Sequence, residues 1–283
     1  MYINILQFTL GTVLLYYGAD FLITGSQTVA SKFKISPIVV GITLVAFGTS
    51  LPELIVSMIA IFRDKPGIVI GNVVGSNIAN IGLVLGISAM LSPILFSFKK
   101  ISFDLYILMF ISLLPLLFIY LGGLVFWQGL FFIFLLLWYC WLLYKKNNEF
   151  EGQQKNQNGR NVYSLFLKIT LGIVGLGFGA HYFVLGAQGL ANALKVPPIV
   201  IGMSIVALGT SLPELAACIA AAKHNETDFI IGNIIGSNIM NIVAVLGFTL
   251  LIHPIPVEFP DVATQGIFMM ILKTTIQSFP TIL

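Results

Sequence analysis

Charge is what this sequence has least of: Lys, Arg, Asp and Glu make up 9% of its 283 residues, against about a quarter in a soluble domain. With a hydrophobic fraction of 58%, that excludes a water-soluble globular protein. Cysteine is nearly absent too. Cys140 and Cys218 stand far apart in apolar runs, which leaves no disulfide framework and no cysteine-based metal site, only two small core residues. The net charge of +3, from 14 basic and 11 acidic residues, includes no basic block dense enough for nucleic acid. No HExxH, no Ser, His and Asp arrangement and no phosphate-cradling glycine loop occurs, so an enzyme lacks its parts and no cofactor is expected. The opening MYINILQF has neither a basic leader nor a small-residue cleavage site and reads as the start of a retained span.

What is present is a succession of long apolar runs, at about 3–25, 37–62, 68–92, 101–121, 124–144, 163–185, 198–222, 229–252 and 262–283. None alternates with period two, so a barrel is excluded and only helices satisfy the backbone in lipid. The expected fold is an all-α polytopic membrane protein of about nine spans, with the lipid bilayer around it and no soluble protein partner implied. The polar stretch Lys145 to Asn161 is too short to fold alone; it divides the chain into residues 1–144, a linker at 145–162 and residues 163–283. Lys and Arg in alternate loops divide nine against three, which places the N-terminus outside and the linker in the cytoplasm of a multi-pass cytoplasmic-membrane protein.

A shift of 161 residues lays the second half on the first. PIVVGITLVAFGTSLPEL, from Pro37 to Leu54, matches PIVIGMSIVALGTSLPEL, from Pro198 to Leu215, at 13 of 18 positions. GNVVGSNIANIGLVLG, from Gly71 to Gly86, matches GNIIGSNIMNIVAVLG, from Gly232 to Gly247, at 11 of 16. The repeated segments, 37–92 and 198–252, lie five spans apart, and an odd number makes the two copies cross the membrane in opposite directions. The chain therefore reads as an inverted-topology repeat of five-span units, an architecture of secondary transporters with their site at the repeat interface.

Carboxylates within spans are costly and mark function. Glu53 and Glu214 occupy the same repeat position near mid-span, so inverted symmetry brings them together as a cation site. Pro52 and Pro213 precede them, and a proline inside a helix removes the hydrogen bond to the carbonyl four residues back, here Gly48 and Gly209. A broken turn is expected there, with Thr49, Ser50, Thr210 and Ser211 offering oxygens of the kind hard cations take. Asn72, Ser76 and Asn80, like Asn233, Ser237 and Asn241, recur every four residues and line one drifting helical strip. Asn77 and Asn238 fall one residue off it and are expected to satisfy nearby backbone. Gly71, Gly75, Gly82 and Gly86 read as close-packing positions. Asp20 and His181 read as interfacial anchors, Asp104 as water-facing, and Lys273 as an interruption of the last run.

GTSLPEL twice and GNxxGSNxxN twice, at equal spacing over nearly the whole chain, resemble the cation/calcium antiporter superfamily, sodium/calcium exchanger type. The resemblance implies that Glu53 and Glu214 coordinate the ions, joined by Thr49, Ser50, Thr210 and Ser211, and by the carbonyls of Ala46 and Ala207. Ser76, Asn80, Ser237 and Asn241 match the family's contributions from the following helices. It also implies that spans one and six slide across the bundle to expose the site alternately, exchanging Ca²⁺ for Na⁺. Two departures stand out. Many exchangers carry Asp where this chain has Asn241, so two formal charges face the site, which argues against a potassium-dependent subtype. The counterpart of span five would end near residue 305, past Leu283, so a tenth span is expected to be missing. Proton and metal compete at a carboxylate, so H⁺-coupled exchange is the alternative, ahead of a passive cation channel or an inactive truncated homologue.

Overall fold

The computed structural model describes residues 1–94, 98–147, 162–195 and 209–278. These residues are almost entirely helical. In chain order they form α1 (Tyr2–Phe33), α2 (Pro37–Thr49), α3 (Leu51–Phe62), α4 (Pro66–Leu91), α5 (Phe98–Tyr120) and α6 (Phe126–Asn147). After the linker, which lies mostly outside the described residues, come α7 (Val162–Ala193), α8 (Leu212–Lys223), α9 (Thr227–Leu250) and α10 (Phe259–Ser278). Among the described residues six helices are long and apolar enough to cross a membrane, or seven if α2 and α3, bent by 42°, form one span. The run expected at 198–222 begins among residues that are not described.

Side-chain placement is that of a protein solvated by lipid. Phe110, Leu113 and Leu117 on α5 and Phe134 and Leu137 on α6 point outward, while the polar residues Asn77, Asn80, Ser237 and Asn241 are fully buried. Trp127 near one end of α6, and Trp141 and Tyr144 near the other, are exposed where aromatic rings favour the two membrane interfaces. Between α5 and α6 the chain turns at Gly122 and Gly123, with φ of 126° and 115°, values that a side chain would disfavour.

Backbone geometry repeats at the 161-residue shift. Ser50 has φ −84°, ψ 3° and Ser211 has φ −85°, ψ 4°. Left-handed residues fall at Lys34 and Lys195, and again at Asp64 and Asn225. Wide π-helical turns occupy Asn80–Leu85 and Asn241–Leu246. The first helices of the two halves, α1 and α7, lie against each other and run antiparallel: Gly18 abuts Leu176 and Gly25 abuts Ile169, so the partner number falls as the α1 number rises. A methyl at Gly18 would stand 2.8 Å from the Leu176 nitrogen, and one at Gly172 2.7 Å from the Leu22 nitrogen; only glycine allows backbones this close.

α9 is buried along most of its length, under α2, α5 and α6, with Phe248 turned outward. α6 covers it directly, with Gly129 against Leu250 and Gly247 against Ile133. At the equivalent positions of α4, a methyl at Gly71, Gly75, Gly82 or Gly86 would meet no described residue within 4 Å; the repeat counterpart of the α2 segment that packs on Gly232 and Gly236 lies outside the described residues. Close packing explains Gly232, Gly236 and Gly247.

Candidate ion-binding site

The site is assembled from two helix breaks and two amide-bearing helices. At Ser50 the helix ends, and α3 starts with Leu51 and Pro52 in its first turn, so Pro52 costs no helical hydrogen bond there. The same break at Ser211 opens α8 with Leu212 and Pro213. Glu53 and Glu214 consequently sit in the first turn of α3 and α8, at the positive ends of the helix dipoles. Both are buried, at 0% and 1% exposed. Among the described residues no basic side chain pairs with either.

Oxygens from four helices surround them. Ser50 Oγ donates to Glu214 Oε1 at 3.1 Å. Thr49 Oγ1 donates to Asn233 Oδ1 at 3.2 Å and lies 3.2 Å from Ser237 Oγ, which itself stands 3.4 Å from Asn233 Oδ1. Asn241 Nδ2 donates to Ser76 Oγ at 2.9 Å, joining α9 to α4. The Ala46 carbonyl accepts the Ser50 N–H at 3.0 Å and the Thr49 hydroxyl at 3.3 Å. Thr210 is half-buried beside Glu53. Ala207 lies outside the described residues.

Buried polar atoms without a partner concentrate here. Both oxygens of Glu53, Oε2 of Glu214, both side-chain polar atoms of Asn80, Oδ1 of Asn241 and Oγ of Ser211 are buried and make no hydrogen bond. Buried polar groups are nearly always paired, so such a cluster marks a place where oxygens are held for a ligand. Among the described residues no three of His, Cys, Asp and Glu come together, so the donor set is two carboxylates and neutral oxygens, hard ligands without nitrogen or sulfur.

A supporting ring was left out of the ligand set read from the sequence. Asn72 Nδ2 donates to the Glu53 carbonyl at 2.9 Å and to Ser57 Oγ at 2.9 Å, fastening α3 to α4. In the other half Asn233 Nδ2 donates to Cys218 Sγ at 3.4 Å. Ser57 and Cys218 are repeat counterparts, as are the two asparagines, and that equivalence was the available signal. Asn77 and Asn238 do bond backbone, each on its own helix, at Val73 O (2.8 Å) and Ile234 O (2.7 Å).

Other expectations change. Asp104 is fully buried rather than water-facing, because the Tyr139 hydroxyl donates to its Oδ1 at 3.0 Å from the adjoining helix. Asp20 anchors α1 through His224, 2.9 Å away at the end of α8, rather than at a membrane surface alone. Lys223 Nζ reaches the Tyr16 hydroxyl, and Gln27 Nε2 the Glu226 carboxylate at 3.1 Å, along the same face of α1. His181, the repeat counterpart of Asp20, is exposed.

An all-helical membrane bundle with two buried glutamates amid neutral oxygens is the build of an ion-translocating protein rather than an enzyme. Comparison with known proteins gives the family. The model of the sodium/calcium exchanger protein family matches residues 3–145 and 164–279, and the chain belongs to that family. It is 40% identical over 266 residues to an uncharacterized membrane protein of Methanocaldococcus jannaschii, covering 94% of this chain and 87% of the relative. It is 35% identical over 300 residues to the sodium/calcium exchanger MaX1 of Methanosarcina acetivorans, covering 90% and 85%. The solved sodium/calcium exchanger from Methanococcus jannaschii superposes with a TM-score of 0.85 at 36% identity, over 98% of this chain and 90% of that one.

Proposed function

We propose that the chain exchanges Ca²⁺ for Na⁺ across the cytoplasmic membrane by alternating access to the Glu53–Glu214 site. The observation that carries this reading is the cluster of unpartnered buried oxygens around two carboxylates that have no basic partner among the described residues. Two negative charges balance one Ca²⁺ or two Na⁺, and mutually exclusive occupancy of one site is what an exchanger needs. Glu53, Glu214, Thr49, Ser50, Thr210, Ser211, Ser76, Asn80, Ser237 and Asn241 are the side chains assigned to it, with the carbonyls of Ala46 and Ala207. The antiparallel packing of α1 on its repeat counterpart α7 supports an inverted repeat of residues 1–144 and 163–283. Their glycine-lined contact is shaped for one rigid pair to slide over the remaining bundle. The asymmetry of Lys and Arg supports a cytoplasmic linker and an outside N-terminus.

A second reading is H⁺-coupled exchange, favoured by one observation: three of the four carboxylate oxygens of Glu53 and Glu214 are buried without a hydrogen bond, so a proton can occupy the site as a cation does. Proteoliposomes with an internal Na⁺ load, an internal acid load or neither distinguish the two. Ca²⁺ uptake driven only by Na⁺ supports the first reading and uptake driven only by acid the second. Uptake in all three would make the protein a leak and overturn both. With three Na⁺ per Ca²⁺ each cycle moves one charge, about 2.3 kcal/mol per 100 mV, and rate would follow voltage.

A further inference from the structure

Besides the two glutamates, the buried ionisable side chains include Asp104, which the Tyr139 hydroxyl engages, and Lys273 on α10, 1% exposed. Lys273 Nζ donates to Asn77 Oδ1 on α4 at 2.8 Å and to Ser112 Oγ on α5 at 2.7 Å. Both acceptors are neutral, and no carboxylate among the described residues pairs with the amine. An amine buried there without a counter-ion needs a reason.

The repeat supplies one. Ser112 and Lys273 are 161 residues apart, so the same position of the two halves meets itself. Asn77 and Asn238 are also counterparts. Lysine reaches Asn77 Oδ1, but the shorter Ser112 donates to Leu108 O on its own helix, and the fully buried Oδ1 of Asn238 has no partner. The amine thus lies where the two halves meet, among neutral oxygens. It is also next to the site: Asn77 follows Ser76, which accepts from Asn241, and stands one turn before Asn80, whose side-chain polar atoms are unpartnered. Helical neighbours three apart are about 5–6 Å from each other.

We propose that Lys273 is a tethered cation of the transport core: it fills an oxygen cluster where a mobile monovalent cation would otherwise sit, and its charge weakens cation binding at the neighbouring glutamates. Repulsion scales with ionic charge, so Ca²⁺ is penalised twice as heavily as Na⁺ in free energy and the fold-change for Ca²⁺ is the square of that for Na⁺. Taking about 10 Å and an effective dielectric near 20, neutralising Lys273 tightens Na⁺ about tenfold and Ca²⁺ about a hundredfold.

The proposal rests on the two-glutamate reading. The test is direct ⁴⁵Ca²⁺ binding to the purified full chain, with Na⁺ competition, for wild type, Lys273→Met and Lys273→Arg. The expected result is tighter binding in Lys273→Met, Ca²⁺ by far the more, with wild-type affinities in Lys273→Arg. Lys273→Ser, which places the first half's serine in both, gives the same comparison should the methionine variant not fold, and binds one more Na⁺. Unchanged or weaker Ca²⁺ binding in a folded neutral variant overturns this inference alone. Misfolding of both neutral variants while Lys273→Arg folds also overturns it, in favour of a purely structural ammonium. A wild-type chain that binds no Ca²⁺ overturns the two-glutamate reading, and this inference with it.

Discussion

A single methyl group should force α2 away from α9. At Gly236 on α9 an alanine Cβ would stand 2.6 Å from the Ala46 Cβ and 2.6 Å from the Ile42 Cα, and would also meet the Ile42 carbonyl. Ordinary contact begins at 3.4 Å, so α2 must withdraw by about 0.8 Å. Thr49, at the end of α2, holds Asn233 and Ser237 at 3.2 Å each, and both bonds fail once that distance passes about 3.5 Å. Overpacking costs about 1–3 kcal/mol and each of the two lost bonds about 1 kcal/mol, for a total of about 3–5 kcal/mol. Gly236→Ala should therefore unfold roughly 6–20 °C lower in a detergent melting curve and lose most Na⁺-driven Ca²⁺ uptake. Wild-type melting together with wild-type uptake in Gly236→Ala would refute the reasoning.

Glu53→Gln or Glu214→Gln should weaken Ca²⁺ binding at least about a hundredfold, as removing one partner of a desolvated charge pair does, with normal membrane insertion; proteoliposome flux and ⁴⁵Ca²⁺ binding check this. Tyr139→Phe removes the hydroxyl that donates to the buried Asp104 carboxylate and should cost about 1–3 kcal/mol, read as a lower melting temperature at unchanged ion affinity. The Asp20–His224 pair is 30% exposed on each side, so a double-mutant cycle should give under about 1 kcal/mol, shrinking further in high salt. Ser50→Ala removes the donor to Glu214 and should lower Ca²⁺ affinity by about tenfold while leaving the helix break intact, since the break is set by backbone rather than by that hydroxyl.

The helix breaks were legible because they rest on local chemistry written twice. Two copies of GTSLPEL break the helix alike, down to the φ and ψ of Ser50 and Ser211. Burial of particular side chains was not legible. Asp104 read as water-facing because a carboxylate at the start of a run usually is; the Tyr139 hydroxyl that pairs with it lies 35 residues away on another helix. Lys273 read as a break in an apolar run for the same reason: its acceptors, Asn77 and Ser112, belong to distant segments.

The burial of nearly all of α9 sets two demands on one segment at two different times. In the finished bundle it meets protein along most of its length and carries Asn233, Ser237, Asn238 and Asn241, which polar neighbours tolerate. While the chain is being made those neighbours are not yet in place, and the segment must leave water by itself, side chain by side chain. Its mean hydropathy of 1.9 is kept by the isoleucines, valines and leucines between the amides. Those aliphatic residues are thus the helix's passport into the bilayer as much as its packing. A substitution such as Ile234→Asn would be expected to fail at insertion, before any ion is met.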